Sequence, residues 1–416
     1  MNSSSGSAAG PLRGIRILDL TSVVLGPFAT RILGDYGADI VKVEGTDGDV
    51  MRANGTSRHA GMSSIFLSIN RNKRSLAIDL KTPAGREICL RLASQVDVVV
   101  HNMRVSAIER LGLGYEAVRA ANPSVVYCAA TGFEQAGPHR SKPAFDDIIQ
   151  ATCGLASLMG EVGEEPAFVP TLVADKTAGM ALVNAVLAAL LHREREGGGQ
   201  YVEVPMLETM VDFTMAEHMG GLAFEPTLGD AGYARILRRG RRPVRTRDGH
   251  ISMLPYSSSQ WMSLFERIDH HDLLSAYDVS DRHKLNACLS DLYRELESIA
   301  PSRATREWVE ICDELDIPAA AIHNLRDLPD HPQLSAVNLF QSIEHPTEGS
   351  LRMIRPTTLF SQTPASVRRH APSLGEHSIE ILQTLGLDKT EIDELVQRGV
   401  VAMTATSATL LDDRQE

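Results

Sequence analysis

The stretch Val169-Pro170-Thr171-Leu172-Val173-Ala174-Asp175-Lys176-Thr177-Ala178-Gly179-Met180 sets one acidic residue where an extended, β-branched segment gives way to a run of small residues, 178–191. That run reads as a buried helix. Asp175 is then expected at its N-terminus, where orphan backbone N–H groups and the helix dipole favour negative charge. One role for such a residue is an N-cap. The other is a catalytic role. Desolvation would raise the carboxyl's pKa, and the helix N-terminus is expected to offset that.

Other reactive side chains point away from common chemistries. The turn after the first strand, Thr21-Ser22-Val23-Val24-Leu25-Gly26-Pro27, lacks G-x-G-x-x-G, and Pro27 removes an N–H donor where a pyrophosphate would sit. NAD and FAD are therefore not expected. There is no G-x-x-x-x-G-K-[ST] loop and no G-x-S-x-G elbow. The 14 histidines include one adjacent pair, in Asp269-His270-His271-Asp272, without i,i+4 geometry, so no metal site is expected. Cys89, Cys128, Cys153, Cys288 and Cys312 are scattered and lack C-x-x-C spacing, which reads as reduced thiols in the cytosol. The run Arg235, Arg238, Arg239, Arg241, Arg242, Arg245, Arg247 is either a solvated, ion-paired segment or an anion-binding or subunit-interface patch. Lys81 and Arg110 fall where a switch-point crevice would be lined and could meet a phosphorylated ligand.

The elements that position these residues alternate. Residues 14–20 read as a buried strand, 26–36 as a helix opened by Gly26-Pro27, and 39–44 as the next strand. This is a βαβ unit, and such units build parallel sheets. Strands follow at 75–80, 96–101, 124–131 and 201–204, with helices at 83–94, 108–119 (with a Gly-x-Gly break), 145–158 and 178–195. Gly197-Gly198-Gly199 forms a hinge. The expected fold is α/β, with a Rossmann-like large domain around a parallel sheet and a smaller α+β domain.

The expected organisation is a disordered leader over 1–10, a large domain over 11–225, a small domain over 226–330, and a segment over 331–416 that returns to the large domain. A chain of 416 residues suits two domains. Hydrophobic content of 43% and charged content of 23% are those of a globular protein, and a net charge of −12 argues against nucleic-acid or anionic-membrane surfaces. The leader is not expected to be a secretory signal, and no uninterrupted apolar run has the length of a membrane span. The expected location is cytoplasmic.

In order along the chain stand Pro11-Leu12-x-Gly14-Ile15-x-Ile17-Leu18-Asp19-Leu20, Gly26-Pro27, Gly37-Ala38-Asp39-Ile40-Val41-Lys42-Val43-Glu44, Asn72-Lys73-Arg74-Ser75 and Asp79-Leu80-Lys81-Thr82-Pro83-x-Gly85. Then come Asn102, Arg110-Leu111-Gly112, Asp175-x-x-x-Gly179, His192-Arg193-Glu194, Gly199-Gln200 and Ala371-Pro372-x-Leu374-Gly375-Glu376-His377. With this set, over residues 11–401, the chain resembles the family III CoA-transferases, the group of formyl-CoA transferase and carnitine CoA-transferase. The resemblance implies an interlocked homodimer and a catalytic Asp175. It implies attack of Asp175 on an acyl-CoA thioester, an acyl-aspartyl anhydride, an aspartyl-CoA thioester, and release of CoA on an acceptor carboxylic acid. It further implies a CoA-contacting set of Val23, Val24, Ile78, Lys81, Asn102, Met103, Arg110, Lys142 and Met206. Lys81, Arg110 and Lys142 would meet phosphates, and no metal is implied.

Three departures mark the substrate. The formyl-CoA enzyme carries Gln where this chain has Val24 and Arg where it has Gly45, and its glycine-rich active-site loop has no counterpart here. Formate and oxalate are therefore not the expected substrates. The α-methylacyl-CoA racemases share the fold and the aspartate, but place a His before an Asp where this chain reads Phe145-Asp146. Phe cannot exchange a proton, which favours transfer over racemisation. Asp146 reads as a helix N-cap or a second carboxylate. The Arg235–Arg247 run hints at a carboxylate-bearing substrate such as a dicarboxylic acid.

Overall fold

The computed structural model describes residues 10–163, 165–237, 242–280 and 282–403. Residues 1–9 of the expected leader, and Arg238, Arg239 and Arg241 of the arginine run, lie outside them. The described residues fall in two compact units. The larger draws on Met1–Ala156, Phe168–Thr214 and Asn338–Glu416; the smaller draws on Ser157–Ala167 and Met215–Val337.

The larger unit alternates strand and helix: β1 (Arg16–Leu20), α1 (Leu25–Asp35), β2 (Asp39–Glu44), α2 (Ser64–Ile69), β3 (Lys73–Ile78), α3 (Pro83–Ala93), β4 (Val98–His101), α4 (Val105–Arg110), α5 (Tyr115–Ala121) and β5 (Val126–Thr131). Then come α6 (Asp146–Thr152), α7 (Leu155–Val162), which falls mostly in the smaller unit, α8 (Val173–Glu196), β6 (Gln200–Pro205) and α9 (Met206–His218), whose last residues also fall there. Across the sheet the order is Val401–Ala402, β3, β2, β1, β4, β5, β6. Strands β1 to β6 pair in parallel, and the short C-terminal strand pairs antiparallel with β3. The winding direction reverses between β1 and β4, which opens a crevice beyond their carboxyl ends.

Side chains alternate between the two faces of the sheet. Ile17, Val98, Val100, Val126 and Cys128 pack with Leu25, Leu33, Ala178, Leu182 and Val186 of α1 and α8. Leu18, Val41, Val43 and Val99 pack with Ile88 and Leu92 of α3 and with Ile381 and Leu382 of the C-terminal segment. Coverage on both faces is why these strands read as continuous apolar runs. Helix α8 is long and apolar enough to pass as a membrane span by length and composition. Here it is a core helix, and Ala174, Ala178, Leu182 and Val186 are buried against the sheet layer.

Local details depart from expectation. The helix expected over 145–158 is two, because Gly154 takes a φ of 87° and breaks it. The Gly-x-Gly break expected within 108–119, by contrast, is present, with Gly112 at φ 70°. Gly10, placed in the expected leader, is buried.

The smaller unit holds an antiparallel sheet of Val244–Arg245, His250–Met253 and Ala319–Ala321. Helices Ser258–Arg267, Arg282–Ile299 and Thr305–Glu314 enclose Trp261, Phe265, Leu292 and Trp308. Three described members of the arginine run are engaged within this unit. Arg242 pairs with Glu297 at 2.5 Å, Arg247 with Glu307 at 2.9 Å, and Arg235 lies over the Tyr256 ring at 4.1 Å.

Candidate active site

Helix α8 begins without a capping side chain. Its N-cap is Leu172, and Asp175 is the third helical residue. Asp175 is therefore not the N-cap, and among the described residues its carboxylate oxygens have no hydrogen-bond partner. Its backbone N–H is one of the orphan donors of the first turn, and it donates to Asp146 Oδ1 at 3.0 Å. Asp146 does not cap its own helix either. Phe145 is the N-cap of α6, and Asp146, the first residue inside, turns its carboxylate to α8. Gln150 Nε2 donates to the other oxygen, Asp146 Oδ2, at 2.6 Å.

Asp175 is 9% exposed and Asp146 is 4% exposed. Burial first, and then the charge of Asp146, push the Asp175 carboxyl up to about 7.

Asp175 lines a cavity of about 280 Å³. The walls come from the loops that follow the carboxyl ends of the strands: Ser22 and Val23 after β1, Asn102 to Arg104 after β4, and Thr131 to Phe145 after β5. Met206, at the start of α9, adds an apolar side. This is the position at which ligands sit in open α/β sheets. Of the residues named from sequence, Val23, Asn102, Met103, Lys142 and Met206 line the cavity with Asp175. Four others do not. Val24 and Ile78 are buried in the core, and Lys81 and Arg110 are exposed on the loop after β3 and at the end of α4. Phe145, where a racemase would need its proton-exchanging histidine, is 63% exposed and on the cavity wall.

Sequence reading missed Arg104, Arg140 and Gln135, which also line the cavity. Arg104 and Arg140 make no ion pair among the described residues. Arg104 follows the strand next to the switch point, and that position was its one signal. Arg140 lies in a long loop whose path follows from packing.

The β1 wall is braced. Asn102 accepts from the Ser22 N–H at 3.0 Å and donates to the Ser22 carbonyl at 2.7 Å, tying the β1 and β4 loops across the switch point. Val23 takes a φ of 67°, a strained left-handed conformation for a β-branched residue. Its N–H donates to Asp49 Oδ1 at 3.2 Å, and Lys42 Nζ donates to Asp49 Oδ2 at 3.0 Å and to the Thr21 carbonyl at 2.8 Å. Behind these, Lys73 Nζ meets Asp19 Oδ2 at 3.0 Å, both fully buried. Burial would raise Asp19, but Lys73 and Lys42 bring it down to about 2. Burial takes Lys73 down to about 8 against the pull of Asp19. Much of the family-like sequence around Asp19, Lys42 and Lys73 thus builds a buried charged floor beneath the site.

A buried carboxylate beside Arg104, Arg140 and Lys142 at the switch point of a parallel sheet forms a site able to hold an anionic ligand against a reactive acid. The family model for CoA-transferase family III matches residues 12–378. The chain belongs to CoA-transferase family III, and it is a CoA-transferase by that membership. It is 30% identical to the human succinyl-CoA:glutarate CoA-transferase over 396 residues, covering 94% of this chain and 90% of the relative. It is 32% identical to the succinyl-CoA:mesaconate CoA-transferase of Haloarcula hispanica over 392 residues, covering 91% and 97%. The crystal structure of Rv3272 from Mycobacterium tuberculosis superposes with a TM-score of 0.78 at 30% identity, covering 90% of this chain and 99% of that one.

Proposed function

We propose that this enzyme moves CoA from a dicarboxylic acyl-CoA donor to a carboxylic acid acceptor through covalent intermediates on Asp175. An Asp175 oxygen attacks the thioester carbonyl carbon, the C–S bond breaks, and CoA leaves as thiolate with an acyl-aspartyl anhydride behind. The thiolate attacks the aspartyl carbonyl, the donor acid leaves as carboxylate, and an aspartyl-CoA thioester forms. The acceptor carboxylate attacks that thioester and expels the thiolate. The thiolate then takes the acceptor's acyl carbon and frees Asp175. One thioester is broken and one is formed, so no other energy source is needed.

The observation that carries this reading is the buried Asp175 carboxylate on a switch-point cavity that also holds Arg104, Arg140 and Lys142. Those cations suit phosphates and a distal carboxylate. Two relatives named above act, by their names, on succinyl-CoA with glutarate or mesaconate, which supports a dicarboxylic substrate class. Within the CoA-contacting set, Val23, Asn102, Met103, Lys142 and Met206 would meet the pantetheine and phosphates first. Lys81 and Arg110, exposed, would lie further along, while Val24 and Ile78, buried in the core, would back the wall rather than touch CoA. Racemisation is the weaker reading because Phe145 supplies no titratable partner.

An interlocked homodimer is part of the proposal. It is supported by large apolar side chains left exposed on the larger unit, among them Phe145, Ile148, Phe168, Leu172, Met180 and Leu191. A cytoplasmic location is supported by the free thiols of all 5 cysteines.

A panel of acyl-CoA donors and free acids, read by mass spectrometry, tests the function. CoA exchange among dicarboxylic acids is expected, and is lost in Asp175→Ala. Solvent deuterium appearing at the α-carbon without exchange would instead support the racemase.

A further inference from the structure

We infer that Asp146 is the positioning residue of the Asp175 nucleophile, a cap supplied to the first turn of α8 from another helix. The inference rests on Asp175 being that nucleophile.

The third N–H of a helix is where an N-cap side chain normally accepts. In α8 that N–H belongs to Asp175, and the N-cap, Leu172, has no acceptor. Asp146 Oδ1 takes its place at 3.0 Å. The carboxylate of Asp146 is itself held. Gln150, fully buried one turn along α6, donates to Asp146 Oδ2 at 2.6 Å and accepts from the Val169 N–H at 2.9 Å. It also donates to the carbonyls of Val169 and Thr171, at 3.3 Å and 3.4 Å. One pair of side chains from α6 therefore fixes both the segment entering α8 and the backbone of Asp175.

Two consequences follow for a carboxylate nucleophile. First, its backbone cannot shift without breaking a hydrogen bond to a charged acceptor, and misplacement by an ångström is worth about 100-fold in rate. Second, a like charge stands behind it. The other charged groups around the cavity are Arg104, Arg140 and Lys142 on its walls. Lys176, next on α8, is bonded to Thr171 Oγ1 at 2.6 Å. Helix α1 faces this part of α8 with Leu25 and Phe28, which carry no charge.

Three variants of the full-length enzyme separate these effects: Asp146→Asn, Asp146→Ala and Asp175→Ala. Circular dichroism first establishes that each is folded. Asp146→Ala removes acceptor and charge, and its kcat is expected to fall about 100-fold with KM for the acyl-CoA changed less than about 3-fold. Asp146→Asn keeps an oxygen for the Asp175 N–H but drops the charge. Its kcat is expected to fall less, and the acid limb of its kcat/KM profile to move to lower pH. Its activity relative to the parent is then higher at pH 5.5 than at pH 8, which a merely structural defect would not produce. A folded Asp146→Asn with the parental pH profile, or a folded Asp146→Ala with parental kcat, overturns the inference while Asp175→Ala stays inactive. An active Asp175→Ala instead overturns the reading beneath it. If Asp146→Ala does not fold, the pH profile of Asp146→Asn decides alone.

Discussion

Gly179 stands one turn beyond Asp175 on α8, so close to α1 that an added Cβ would lie 2.9 Å from the Leu25 carbonyl oxygen. The obstacle is backbone, which cannot swing aside. Gly179→Ala is expected to push α8 off α1 and destabilise the fold by about 1–3 kcal/mol. Because Asp175 rides on the same helix, kcat is expected to drop with it. Chemical denaturation and steady-state kinetics measure both, and a stable, fully active variant would refute the link.

The Asp175 carboxyl titrates at about 7, raised by burial and then by Asp146. The nucleophile is the ionised form, so kcat/KM should rise with pH up to about 7 and level off above it. A flat profile between pH 5 and 8 would contradict the assignment.

The same shift bears on stability. A carboxyl raised in the folded state holds a proton that the unfolded chain has already lost. Stability therefore declines as pH climbs from the ordinary aspartate range, about 4, to the folded value, by up to about 4 kcal/mol. Asp175→Asn carries no such charge. It is expected to melt above the parent at pH 8 and close to it at pH 4, a contrast that calorimetry at both pH values reads directly.

Asn102 holds the Ser22 backbone through two hydrogen bonds. Asn102→Ala leaves the Val23 turn, at φ 67°, without that brace. A loss of about 1–3 kcal/mol is expected, together with a raised KM for acyl-CoA. Equal KM values for variant and parent would place acyl-CoA away from this wall.

Arg104 and Arg140 are the cavity cations suited to a second carboxylate. Replacing either with Gln is expected to lower kcat/KM for dicarboxylic acyl-CoA donors about 10–100-fold and to spare monocarboxylic ones. Equal losses on both would mean that these side chains serve the CoA phosphates.

The α/β class was legible because strands such as 98–101 and 126–131 are apolar on both faces and are separated by helix-length segments. Strand order was not legible, since nothing local in 16–20 says that it will lie beside 98–101. The short edge strand Val401–Ala402 is too brief to carry a periodicity of its own. At the site, sequence placed Asp175 near a helix start but not two residues beyond the first helical position, and it left Asp146 as either a helix N-cap or a second carboxylate. The bond between Asp146 and Asp175 spans 29 residues of chain and depends on how α6 and α8 pack. The arginine run drew attention by composition, yet its described members Arg242 and Arg247 are ion-paired within the smaller unit. Arg104 and Arg140, isolated in sequence, are gathered at the cavity only by the sheet topology.

The most direct test is to trap the covalent intermediate. The enzyme is mixed with succinyl-CoA alone, quenched, digested, and the peptide bearing Asp175 is weighed by mass spectrometry, with a parallel sample in hydroxylamine. The peptide is predicted to carry CoA as a thioester, or a hydroxamate at Asp175 after hydroxylamine. An unmodified Asp175 peptide from an enzyme that turns over the same succinyl-CoA would contradict the account.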